Sequence, residues 1–211
     1  MNSERNMPLN IIEKYDKQFE YVGIAMYVFI ASQFFQLWLF PEETQAEKIY
    51  SMSFLIIFEF VMVHSGVFMA VMPKKWSFFI FIPFYGVFAW AFNHAVPNNV
   101  VLITYLVVVL NRMRFAFFNA DKRLKERAAA FSVFALIVYF VLTFVVLFSA
   151  EILPEFGLTA EFLEKSGYNA IKSATGTFVD VPQTALCLGV LYYSALAIIE
   201  AKLVSHSEKK K

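Results

Sequence analysis

Residues 49–72 read IYSMSFLIIFEFVMVHSGVFMAVM. An α-helix rises about 1.5 Å per residue, so twenty or more such residues cover a hydrocarbon layer of roughly 30 Å. The stretch carries one carboxylate, Glu59, near its centre and one imidazole, His64. Its length and composition predict a membrane-spanning helix with an ionisable group deep inside it.

Five more runs of this kind flank it, at Tyr21–Phe40, Trp76–His94, Val100–Phe118, Ala128–Ser149 and Val181–Val204. The expectation is therefore an all-α, polytopic integral membrane protein with six transmembrane helices. The run at Val100–Phe118 is the weakest, because its second half holds Asn111, Arg112 and Arg114. A five-helix alternative places that half in the cytoplasm.

Composition agrees with this reading. Of the 211 residues 59% are apolar, mean hydropathy is +0.59, and there are 26 Phe and 10 Tyr. A water-soluble domain has about 45 to 50% apolar residues. Net charge is only +1, so no global field points to nucleic acid, and no nucleic-acid partner is expected. The first twenty residues are polar and lack the basic start, short apolar core and cleavage site of a signal peptide, so the first apolar run is expected to stay in the mature chain. The single cysteine, Cys187, excludes an internal disulfide and any site built from several thiolates.

Charge between the runs sets the orientation. Arg5, Lys14 and Lys17, then Lys74 and Lys75, then Lys122, Arg123, Lys125 and Arg127, then Lys202 and Lys209 to Lys211 all fall on one side of a six-helix chain. The other side holds Lys48, Lys165 and Lys172. The positive-inside rule then places both termini in the cytoplasm. The expected organisation is a cytoplasmic arm at 1–20, a transmembrane domain at 21–204, and a basic cytoplasmic tail at 205–211. The expected location is the bacterial inner (plasma) membrane.

Connections are short except at 150–180 on the outer side. There LTAEFLEKSG predicts a short helix with Thr159 as N-cap, Glu161 in the first turn and Gly167 at the end. It is read as an interfacial helix, or alternatively as a cap over a pathway or partner site.

Ionisable groups at mid-membrane depth mark ion pathways, proton relays or obligate pairs. Met62, Val63 and Gly66 share the face of Glu59, whereas His64, five residues on, points about 140° away. The two do not form a metal pair. His64 is read as packed or hydrogen-bonded among Ile57, Phe60 and Val67, and no histidine partner at its depth supports a haem or a three-histidine metal site. Arg112 and Arg114 lie roughly 18 and 21 Å below Val100, and Glu59 about 15 Å below Ile49. Either arginine could pair with Glu59 or snorkel to the headgroups. Breaking such a buried pair costs about 3 to 5 kcal/mol.

Weaker polar stripes follow helical spacing: Ser32, Gln33 and Gln36; Ser132, Tyr139 and Thr143; and Gly189, Tyr193, Ala197 and Glu200. They suit interhelical hydrogen bonding or a transport lining. Pro83 with Gly86 predicts a kink. No span holds a central lysine for a retinal Schiff base. No Walker loop, dinucleotide fingerprint, H-E-x-x-H or G-x-S-x-G motif occurs.

The function expected is a small channel or transporter for ions or protons, acting as a homo-oligomer in lipid. Its candidate residues are Glu59, Arg112, Arg114, His64, Asn111, Tyr193 and Glu200. No catalytic residue, metal or cofactor is assigned. The alternative is a non-catalytic structural or regulatory subunit of a larger membrane complex, and the third reading is an intramembrane enzyme acting on lipid.

Overall fold

The structure is a computed structural model that describes residues 16–71, 76, 79–80, 82–96, 99, 102–103, 106 and 122–208. Asn111, Arg112 and Arg114 lie outside the described residues, as does most of the expected fourth span. The described residues are helical and loop, without strands. Five helices of thirteen residues or more form the frame. They are α1 (Asp16–Leu39), α2 (Ala46–Val71), α3 (Ile82–His94), α4 (Lys122–Phe148) and, last in the chain, α8 (Pro182–Glu208). Between α4 and α8 come three short helices, α5 (Ala160–Lys165), α6 (Tyr168–Ile171) and α7 (Thr177–Asp180).

Among the described residues, three stretches are long and apolar enough to cross a membrane: Glu20–Leu39, Ala129–Phe148 and Pro182–Ser205, of 20, 20 and 24 residues. This number is smaller than the six expected. At about 1.5 Å per residue each covers about 30 Å or more. α4 turns Val133, Phe134, Ile137, Val141, Phe144 and Val145 outward, a face suited to lipid rather than to water.

Helix ends differ from the apolar runs because a helix does not stop where hydropathy does. α4 begins at Lys122, inside the basic run, and α8 continues through Ser205 and His206 to Glu208. Nothing there breaks the helix, since Glu, Lys and Arg are good helix formers. Pro83, where a kink is expected, is the second described residue of α3, and residues 79–80 before it are π-helical.

α8 is the central strut, packing on α1, α2 and α4. Its closest approach is to α1. A Cβ on Gly189 would lie 2.3 Å from Phe34 Cδ1, and one on Gly23 would lie 3.3 Å from Glu200 Oε2. These contacts are eleven residues apart on each helix and in opposite order, so α1 and α8 run antiparallel in a fixed register. Small residues at such crossings let backbones approach and add dispersion contact. α2 then lies against α8 and α4, with Phe34, Ile49, Tyr50, Ile56 and Phe58 fully buried.

The segment 150–180 closes one end of this bundle. Trp38 donates its indole N–H to Pro154 O at 3.0 Å, and the Gly157 N–H returns to Trp38 O at 3.1 Å. Gly157 must be glycine, because a Cβ would lie 2.2 Å from Pro41 Cδ and 2.9 Å from Leu39 O. Thr159 caps α5 by accepting from Phe162 N–H at 3.2 Å, and Gly167 follows in the left-handed region at φ 73°. The segment is docked as well as helical. Tyr50 accepts from Ser173 N–H at 2.9 Å, its hydroxyl also pairs with Ser173 Oγ at 2.9 Å, and buried Tyr168 donates to Val179 O at 2.9 Å. Burial keeps the Tyr168 phenol above its ordinary range, so it stays protonated and donating.

Candidate functional site: a buried carboxylate between two tyrosines

Glu59 stands near the midpoint of α2, and its side chain is 4% exposed. A carboxylate taken out of water loses solvation worth several kcal/mol and must recover it from donors. Two such donors come from consecutive residues of α8. Tyr192 donates to Oε1 at 3.0 Å and Tyr193 donates to Oε2 at 3.1 Å. Adjacent helical residues diverge by about 100°, so the two phenols reach the carboxylate from either side and take one oxygen each. Each bond to a charged acceptor is worth about 1.5 to 3 kcal/mol.

The aromatic walls fix these donors. Tyr192 sits edge-on to Tyr139 of α4 at 5.4 Å between centroids, and the Tyr139 hydroxyl is committed to Ile56 O at 2.8 Å. Tyr193 faces the other way, stacked against Phe34 at 5.8 Å and Tyr27 at 6.3 Å, both on α1. Thus α1, α4 and α8 each bring a tyrosine to the neighbourhood of one α2 carboxylate. Met62 and Val63, on the same face as Glu59, are buried with it.

His64 is placed elsewhere. Its Nδ1 bonds Phe60 O one turn back, and its ring packs on Phe60 at 4.3 Å and Phe140 at 5.7 Å. Its environment is aromatic packing at the α2–α4 contact, away from the two tyrosines that hold Glu59. Glu200 lies near the far end of α8 with its carboxylate against Gly23. The site therefore unites Glu59 with Tyr193, leaves His64 apart, and leaves Glu200 one step removed along the same helix face.

Sequence reasoning singled out Tyr193 and missed Tyr192. Helical spacing puts Tyr192 off the Tyr193 face, and the position of Glu59 between the two phenols brings it in. Among the other stripes, Ser32 bonds its own helix at Phe29 O, and Gln33 accepts from Lys48 Nζ at 2.8 Å. Among the described residues, no three His, Cys, Asp or Glu side chains converge as metal ligands would.

The fold and the site together define a helical protein whose three apolar helices suggest a membrane protein, built around a buried glutamate held by tyrosines. No protein-family model, curated protein or solved structure matches the chain.

Proposed function

We propose that the protein is a small membrane channel or transporter for protons or ions, working as a homo-oligomer, with Glu59 as its coupling carboxylate. In this reading the chain crosses the membrane six times with both termini cytoplasmic. α2, at 26 residues, is long enough for one crossing, and the 76–94 and 100–118 runs supply two more.

The observation that carries the proposal is the setting of Glu59. Both of its oxygens accept from hydroxyls at the midpoint of a long apolar helix. A carboxylate so placed accepts two hydrogen bonds when charged. Protonation removes the charge that strengthens both bonds and adds an O–H donor, so taking up a proton weakens the hold of the two tyrosines. Protonation is thereby coupled to the α2–α8 contact, which is what a coupling group requires. Arg112 or Arg114 is the expected counter-charge.

The test is flux in proteoliposomes. Glu59→Gln keeps the shape and removes the titration, and is expected to abolish proton or ion flux and its pH dependence. Unchanged flux rejects the proposal.

The same two bonds support a second reading, because they tie α2 to α8 as a packing node. A structural subunit of a larger assembly would show no flux in the native protein. Glu59→Gln would then lower thermal stability or dissociate the assembly in detergent.

A further inference from the structure

We infer that the α1–α8 seam is the proton path by which Glu59 exchanges with the membrane face that carries both ends of the described chain. This inference rests on the proton-handling reading of Glu59 and gives that reading a route. The residues are Glu20, Tyr27, Tyr193 and Glu200, with Gly23 as the space that admits them.

The register of the two helices puts these groups in a row. Glu20, Gly23 and Tyr27 follow at three and four residues on α1, which is one helical face. Tyr193, Ala197 and Glu200 repeat that spacing on α8. The two faces meet. The Glu200 carboxylate oxygens lie 3.3 and 3.4 Å from where a Gly23 Cβ would be, and Tyr27 stacks on Tyr193 at 6.3 Å. Tyr193 then donates to Glu59 Oε2 at 3.1 Å. Glu20 is 1% exposed although it lies near the end of α1, which extends the row one turn beyond Gly23, and Tyr27 and Glu200 are half-buried.

Glycine at 23 is informative here. A helix crossing needs a small residue to bring backbones together, but Gly23 is filled by a carboxylate instead of by packed hydrocarbon. Ala197, between Glu200 and Tyr193, is the smallest side chain that completes the row.

The transfer balances at each oxygen. A proton leaves the Glu200 carboxyl for the Tyr27 hydroxyl, directly or through one bridging water. Tyr27 passes its own proton to Tyr193, and Tyr193 passes its own to Glu59 Oε2. Each phenol gives one proton and receives one, so neither ends charged. Glu200 ends as carboxylate and Glu59 as carboxylic acid. Tyr192 has no part in this row, since its ring faces Tyr139, whose hydroxyl is held by Ile56 O.

The order of the row supplies the experiment. The full chain is reconstituted in phosphatidylcholine–phosphatidylglycerol vesicles and given a rapid pH jump. Infrared absorption of the protonated carboxyl is followed, with the Glu59 band assigned by its loss in Glu59→Gln. Glu200→Gln and Tyr193→Phe are expected to slow Glu59 protonation by about a hundredfold, the lower end of what a positioned proton donor supplies. Tyr50→Phe, which removes a hydroxyl that bonds Ser173 and lies off the seam, is expected to leave the rate within about threefold, well inside that hundredfold effect. Glu200→Asp restores most of the rate. Gly23→Val, which displaces the Glu200 carboxylate without removing it, slows it again and serves if Glu200→Gln does not fold. An unchanged rate in Glu200→Gln or Gly23→Val overturns the seam, as does equal slowing by Tyr50→Phe and Tyr193→Phe. A Glu59 band that does not respond to pH in the native protein overturns the proton-handling reading itself.

Discussion

At the scale of single residues, Glu59 and its two phenols dominate the energetics. Removing either hydroxyl takes one hydrogen bond from a buried carboxylate. Tyr192→Phe and Tyr193→Phe are each expected to cost about 1.5 to 3 kcal/mol, read as a lower thermal midpoint in detergent. Phe substitution keeps the ring stacking, so the loss reports the hydrogen bond. Gly189 gives a second prediction. A methyl there would sit 2.3 Å from the ring of Phe34, which is fully buried. Gly189→Ala should therefore cost about 1 to 3 kcal/mol through overpacking, and Phe34→Leu in the same chain should return part of it. Much of this was legible from the sequence: a lone carboxylate in an apolar run announces itself, and Gly189, Tyr193, Ala197 and Glu200 do share one packed face. Tyr192 was not legible, because helical periodicity puts it off that face and only the position of α2 between the two phenols brings it in.

At the scale of elements, the 150–180 segment shows what local signals can and cannot specify. Thr159 and Gly167 bound α5 as their cap chemistry requires, since caps act within one turn. The docking was hidden, because it depends on partners more than a hundred residues away, Tyr50 with Ser173 and Trp38 with Pro154. Tyr50→Phe should loosen this end of the bundle and raise amide hydrogen exchange across α5 to α7, leaving the long helices unchanged.

Acid should loosen the same segment. Asp180 accepts from Lys172 Nζ at 2.8 Å and from Gly176 N–H at 2.8 Å. The Lys172 hydrogen bond, then the Gly176 N–H, hold its carboxyl below the ordinary range. A lowered folded pKa means that the stabilisation is complete above about pH 3.9 and is lost as pH falls through the folded value. Exchange across 172–181 should therefore rise in acid relative to the helices, and Lys172→Met should shift that rise to higher pH.

At the scale of the whole molecule, the described residues make an all-helical bundle in which α8 braces α1, α2 and α4. Three apolar helices are long enough to cross a membrane. Hydropathy located these elements well but their ends poorly, because backbone hydrogen bonding carries α4 into the basic run at Lys122 and α8 on to Glu208. The proposed six-span topology predicts which loops face which side. With the one native cysteine, buried Cys187, replaced by alanine, single cysteines at positions 44 and 164 should react with impermeant maleimide from outside the cell. Cysteines at 74 and 124 should react only from the cytoplasmic side.

The central claim is that Glu59 carries a titrating proton that couples to transport. The most direct measurement is flux across proteoliposomes containing the native chain or Glu59→Gln, as a function of pH. The account predicts pH-dependent flux in the native protein and none above background in the variant, with both folded to the same helical content. Equal flux in the two, or no flux from either, would contradict it.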